Sequence, residues 1–256
     1  IPDQPLIPHD KMRFVGEPYA LVVAESRYLA EDAVELIEAD FDPLPPVAGP
    51  DAALADGAAL LHDVLGRNIA AILHTTKGDG AKALDTAPHR LKRRFNHHRY
   101  AAMPMECRGV VADYDARRDI LTVWSSSQVV HWVRREVANA LDMPEERVIC
   151  IAPDVGGGFG VKGHCYPEDI LVAYLAKRLG RPVKWIEDRH EHLLNAAHSR
   201  DIAFDFEIGF DDDGRILVVD TDFVVDSGAY SPVGAGIAGN SVAHMLGPYD
   251  IPNYEC

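Results

Sequence analysis

Residues 156–163, Gly156-Gly157-Gly158-Phe159-Gly160-Val161-Lys162-Gly163, hold five glycines in eight positions. With so few side chains in the way, backbone N–H groups can come close to a ligand and point at an anion or a metal–oxo group, so a binding loop is expected here. The loop lies between a β-branched run, Arg147–Ala152, and a helical pattern, Pro167–Leu179, with a further strand pattern at Pro182–Ile186. Gly158–Gly163 fits G-x-G-x-x-G, and Glu187 ends the next strand, which is the layout of a dinucleotide fingerprint. The fit is loose: Asp154 and Val155 precede the glycines, the helix begins four positions after Gly163, and Glu187 comes later than the usual spacing of about 20 residues. A phosphate loop of the Gly-Lys-Ser/Thr kind is excluded by sequence. The bland reading is a turn passing close to a neighbouring strand.

Gln128 is the second candidate. Ile120–Ser125 reads as a strand, the run Ser125-Ser126-Ser127-Gln128 follows, and Val129–Leu141 then places Val130, Val133, Val137 and Leu141 at helical spacing before Asp142-Met143-Pro144 stops it. A side chain where a strand hands over to a helix can reach a ligand; it can also simply cap the helix. Other residue types capable of chemistry give less. Cys107, Cys150, Cys165 and Cys256 form no C-x-x-C, which argues against zinc and iron–sulfur sites and for a reducing compartment. His97, His98, His164, His190 and His192 have no convincing ligand partner in the sequence, so surface or supporting roles are expected. Asp211-Asp212-Asp213-Gly214 lacks the later glutamate of a calcium loop and reads as a solvated turn. No residue is assigned as a metal ligand.

The chain is 256 residues long with a net charge of −15, which argues against nucleic acid and anionic membrane surfaces as partners. The basic run Lys92-Arg93-Arg94 reads as a solvated edge. No apolar run approaches the about 20 residues that span a bilayer and no signal peptide is present, so a cytoplasmic location is expected. The start at Ile1-Pro2-Asp3 without methionine and the stop at Tyr254-Glu255-Cys256 read as the ends of a fragment.

The remaining elements must position these candidates. A turn at Gly16-Glu17-Pro18 leads to a buried strand, Tyr19–Ala24. A helix over Arg27–Ile37 follows, with Ser26 as N-cap and Leu29, Ala30, Ala33, Val34 and Ile37 on one face. Glu38–Phe41 returns as a strand, and Asp42-Pro43-Leu44-Pro45-Pro46 closes the unit. Ala48–Asp85 reads mostly as linker, with a short helix over Leu84–Pro88. Strands at Lys92–His98 and Val110–Tyr114 flank Met103–Gly109, and His198–Glu207 with Ile216–Asp222 forms a hairpin. Asp226–Tyr230 opens a Gly- and Ala-rich segment that ends at Pro248–Asn253.

Several of these blocks occur together and in order: FVGEPYALVVAESRYLAEDAVELIEADFDPLPPV, PMECRGVVADYD, SSSQ before a helix, APDVGGGFGVKG, LGRPVKWIEDRHE and VVDSGAY. Together they resemble the molybdenum-binding large subunit of the xanthine oxidase family, nearest the bacterial aldehyde oxidoreductase and carbon monoxide dehydrogenase large subunits. The resemblance implies an α+β fold. Residues 1–47 would be the C-terminal part of an α/β hammerhead domain, 48–89 a linker, and 90–256 an incomplete, mixed-sheet first molybdopterin-binding domain. It also implies a molybdenum hydroxylase that oxidises an aldehyde, a heterocycle or carbon monoxide with water as oxygen source. The cofactor would be molybdopterin, in the cytosine dinucleotide form. Electrons would leave through 2Fe–2S clusters and FAD carried by an iron–sulfur subunit and an FAD subunit.

By the same resemblance Gln128 and Phe159 are the catalytic candidates, and Gln128, Gly157, Gly158, Phe159 and Gly160 bind the cofactor. The family's general base lies beyond Cys256, so this piece alone is expected to be inactive without the rest of the large subunit. Gly163 and Asn240 stand where purine-oxidising members carry a glutamate and an arginine, which argues against purines. Two other readings stay open: a cofactor-free interaction protein that keeps the fold, and a nucleotide-binding module built on Gly156–Gly163.

Overall fold

A computed structural model describes residues 4–230 and 233–256 (for Ala235, backbone only), so Ile1-Pro2-Asp3 lies outside the described residues. The elements in chain order are α1 (Arg27–Val34), α2 (Pro50–Leu54), β1 (Thr76–Lys77), α3 (Gly80–Thr86), β2 (His89–His97), β3 (Gly109–Asp115), β4 (Ile120–Ser125), α4 (Val130–Ala140), β5 (Val148–Ile151), α5 (Pro167–Leu179), β6 (Val183–Ile186), α6 (Arg189–Asn195), β7 (Asp201–Phe210), β8 (Ile216–Asp226), α7 (Gly234–His244) and β9 (Asn253–Glu255). Both sheets mix parallel and antiparallel pairs, as the expected α+β class requires. The described residues divide into two compact units, one of residues 43–100 and 199–256, the other of residues 4–42 and 101–198.

The second unit carries a four-stranded sheet in the order β5-β4-β3-β6. Alternation along the strands sends Val110 and Ala112 of β3, and Leu121 and Val123 of β4, to one face, where each is at most 2% exposed. Against them pack Val133 and Val137 of α4 and Val172, Ala173 and Ala176 of α5, the faces that helical spacing selects. Each fully buried Val or Leu here is worth roughly 1.5–3 kcal/mol. Helix α5 starts and stops where its sequence says: Pro167 occupies the first turn, the Tyr166 N–H donates to Asp169 Oδ2 at 3.0 Å, and Gly180 takes φ +61° to close the C-terminus.

Residues 4–42 of this unit depart from expectation. Neither Tyr19–Ala24 nor Glu38–Phe41 joins a sheet. An apolar run cannot by itself supply a ladder partner, and Tyr19–Ala24 is not buried as expected, with Tyr19 42% and Val23 43% exposed; the two stretches meet through side chains, Tyr19 and Phe41 lying edge to face at 5.6 Å. Helix α1 has its expected Ser26 cap, whose Oγ accepts the Leu29 N–H at 3.3 Å. It ends at Val34 instead of Ile37 because the last N–H groups, of Leu36 and Ile37, turn back to carbonyls three residues earlier. Its apolar face is not buried among the described residues: Leu29 is 55% and Val34 52% exposed.

The first unit carries a five-stranded sheet, β1-β9-β8-β7-β2. Its spine is the expected β7–β8 hairpin, with β7 beginning and ending three residues later than expected and β8 running four residues further. Asp211 Oδ1 shapes its turn by accepting the N–H groups of Asp213 and Arg215, and Gly214 adopts φ +80°. The aspartate run is thus spent on a turn. Strand β2 pairs with β7 over nine residues and forms the sheet edge. Helix α7, in the Gly- and Ala-rich segment, was not foreseen.

Candidate functional site

Two strand-to-helix passages of the second unit build the site. In the first, β4 runs into three buried serines before α4 begins. Ser125 Oγ donates to Asp169 Oδ1 at 2.8 Å, and Ser126 exchanges hydrogen bonds with Gly109 through its N–H (3.0 Å) and its Oγ (2.9 Å). Ser127 Oγ accepts the Val129 N–H at 3.0 Å, a turn bond just ahead of α4, whose N-cap position is Val129 and which no side chain caps. Gln128 does not cap the helix either. Its backbone N–H donates to Lys162 O at 2.9 Å, and its side-chain Oε1 accepts the Gly160 N–H at 3.0 Å.

The second passage, from β5 to α5, contains the glycines. Gly157 and Gly160 take φ of +99° and +91°, and Phe159 sits at φ +53°, where a side chain costs on the order of 1–2 kcal/mol. A Cβ on Gly158 would lie 2.4 Å from Gln128 Oε1, so only glycine lets the amide lie against the loop. Gln128 and the loop that carries Phe159 thus come together, and Phe159 itself points out, 77% exposed. Because Oε1 faces the loop, the Gln128 amide nitrogen keeps both hydrogens, which have no acceptor among the described residues. The same holds for the N–H groups of Gly157, Gly158 and Phe159. Neutral donors on an exposed, side-chain-poor surface suit a large oxygen-rich ligand.

The nucleotide-binding reading fails on topology. Strand β6, which follows the glycine loop and α5, runs in the direction of β5 but is separated from it by β4 and β3, so β5–α5–β6 is not the adjacent parallel pair that a dinucleotide site is built on. The glycines also stop short of the α5 N-terminus, which Tyr166 and Asp169 close. Glu187, the acid that reading would use, is 2% exposed and fully engaged.

That engagement is a network that local pattern did not reveal. Arg108 donates to Glu187 Oε1 from Nε (2.9 Å) and Nη2 (2.6 Å), and lies 3.4 Å from Glu168. Its guanidinium also sits 3.7 Å from the centroid of the Tyr166 ring. His192, 1% exposed, faces Glu187 Oε2 with Nδ1 (2.8 Å) and the Ala102 carbonyl with Nε2 (2.9 Å), the supporting and not the surface one of the two expected roles. Burial works against ionised Glu187, but its bonds to Arg108 and His192 outweigh that and hold its pKa below the ordinary value. Cys107, Glu187 and His192 bring donor atoms within 4.8 Å of one another. The Glu187 oxygens and both His192 nitrogens are already committed, so the group reads as an ion-pair cluster. Asp169 is pushed up to about 6 by burial, against the bonds from Ser125 and the Tyr166 N–H. A cavity of about 450 Å³ lies in this unit, lined by Glu106, Trp124 and Arg189 among others but by neither Gln128 nor Phe159.

The family described as Molybdopterin cofactor-binding domain matches residues 61–256. The chain is 36% identical to the 6-hydroxypseudooxynicotine dehydrogenase complex subunit gamma of Paenarthrobacter nicotinovorans, over 98% of this chain and 31% of that one. It is 37% identical to the nicotine 6-hydroxylase large subunit of the same organism, with the same coverage of each. Quinoline 2-oxidoreductase from Pseudomonas putida 86 superposes with a TM-score of 0.90 at 39% identity, over 98% of this chain and 33% of that one. The chain thus spans about a third of the length of these relatives. Among the described residues no helix is long and apolar enough to cross a membrane.

Proposed function

Since this chain belongs to the molybdopterin cofactor-binding domain family, as part of a molybdenum-binding large subunit of the xanthine oxidase type, we propose that it forms one wall of the cofactor site in an enzyme hydroxylating a small substrate with water as oxygen source. A nitrogen heterocycle is the favoured substrate, because the relatives above are named for nicotine, a nicotine derivative and quinoline; aldehydes come second. Molybdopterin, in the cytosine dinucleotide form, supplies the two-electron redox chemistry when bound.

The observation that carries this reading is the Gln128–Gly160 contact, which turns the amide oxygen inward and leaves the amide hydrogens and three loop N–H groups for the cofactor. Gln128, Gly157, Gly158, Phe159 and Gly160 would hold it. An amide is suited to the task because it donates without charge and titrates at no working pH. The exposed Phe159 ring would exclude water from the substrate's approach. An iron–sulfur subunit, an FAD subunit and the remainder of the large subunit complete the enzyme, in the cytoplasm, and the 256-residue chain alone is inactive.

Metal and pterin analysis of the full-length protein, isolated from its host with its accompanying subunits, tests this. Molybdenum and a pterin dinucleotide stoichiometric with the chain are expected. Their absence from freshly isolated intact protein overturns the reading in favour of a cofactor-free interaction protein.

A further inference from the structure

The glycine loop is pinned at both ends by one carboxylate oxygen. Lys162 is 1% exposed, and its Nζ lies 2.6 Å from Glu106 Oε2. The same oxygen accepts the Gly156 N–H at 2.8 Å, and the Glu106 N–H donates back to Gly156 O at 3.3 Å. A Cβ on Gly156 would lie 2.6 Å from Glu106 Cβ, so the start of the loop lies flat against this residue. Lys162 extends the chain of contacts: its carbonyl accepts the Gln128 N–H at 2.9 Å and the Ser127 hydroxyl at 3.4 Å. Glu106 therefore ties the loop's beginning to its end, and that end to the backbone of Gln128.

We propose that the Glu106–Lys162 pair is a positioning device: it fixes the span 157–161 and Gln128 in one relative placement, so that amide and loop donors converge on the cofactor. The functional half rests on the reading above. A buried ammonium with one charged partner is costly to leave alone, so the pair acts as a unit. Burial opposes the Glu106 charge, but Lys162 and the Gly156 N–H outweigh it and keep the carboxyl ionised below its ordinary range.

The test uses the full-length large subunit with its partner subunits, in cofactor-free and cofactor-loaded forms, carrying Glu106→Gln, Lys162→Met, and both together. Glu106→Gln keeps an acceptor for Gly156 and removes only the charge. In the cofactor-free protein each single variant should speed hydrogen exchange of the bonded loop amides, Gly156, Gly160, Val161 and Gly163, about tenfold, with β3 and β4 unchanged. In the loaded enzyme kcat should fall about tenfold with KM nearly constant, as expected when reacting groups are misplaced. The double variant buries no lone charge, so its urea midpoint should recover while its loop stays unprotected and its kcat low. If the double variant regains loop protection and kcat along with stability, or if the single variants leave loop exchange unchanged, the positioning role is overturned. Should a single variant fail to fold, the double variant carries the same decision. A molybdenum-free wild type would defeat the proposed function, while the exchange measurement would still decide the clamp.

Discussion

The two passages that build the site use opposite means. From β4 to α4 the chain turns in four residues, and three serine hydroxyls satisfy the backbone and its neighbours. From β5 to α5 it takes fifteen residues, and the loop is shaped by absent side chains: positive φ at Gly157 and Gly160, and a Gly158 that leaves room for Gln128. The first is held by bonds it makes, the second by contacts made to it. Removing a group should therefore hurt the first passage in stability, and adding one should hurt the second in function.

The largest test addresses what lies beneath both. Arg108 precedes the Gly109 that Ser126 binds, and its side chain meets Glu168 at the start of α5. Arg108→Met should cost about 3–5 kcal/mol by leaving Glu187 and Glu168 as buried, poorly compensated charges, read as a drop in the urea midpoint. A change below 1 kcal/mol would mean that the network is looser than its distances imply. Gly158→Ala comes next. Its methyl meets the movable end of Gln128, so stability should barely change, while turnover of the complete enzyme should fall about a hundredfold as the amide is displaced. Equal losses in stability and turnover would erase the contrast between the passages.

A pH titration sharpens it further. The Asp169 carboxyl, which Ser125 binds, is raised from 3.8 to about 6. Between those values the folded state binds the proton that the unfolded state has released, so stability falls as pH rises from about 4 to 6, by at most about 3 kcal/mol. Asp169→Asn should flatten that part of the stability profile. Smallest is Ser127→Ala, which removes the hydroxyl's bonds to the Val129 N–H and the Lys162 carbonyl and should cost about 1 kcal/mol in urea unfolding.

Much of this frame was legible in sequence. The bounds of α5 followed from Pro167 and Gly180, β4 from its β-branched alternation, and the handover at Gln128 from the change of period after Ser125. What local pattern could not reach was pairing at a distance. Arg108 and Glu187 are 79 residues apart, and nothing in ECRGVV or KWIEDRHE names the partner. The available signal was slight: Arg108 stands directly before the apolar run of β3, whereas Glu187 and His192 are the ends of a continuous polar run, Glu187–His192, that reads as surface. Tyr19–Ala24 and Glu38–Phe41 read as strands in sequence but join no sheet, because an apolar run describes one chain and a ladder needs two. Helix α7 escaped because Gly and Ala offer little contrast between faces.

Among the described residues strand β2 has a strand on one side only, which leaves a nine-residue edge of the kind on which a second chain can template itself. Four of its residues, Arg90, Lys92, Arg93 and Arg94, are cationic. Among the described residues Arg90, Lys92 and Arg94 have acidic neighbours, on β7 or at Asp85, and all four cations sit at exposed positions. A like strand approaching this edge meets its own charge. The basic run that reads in sequence as idle surface thus acts as a guard against intermolecular β-pairing, and its strength falls with ionic strength.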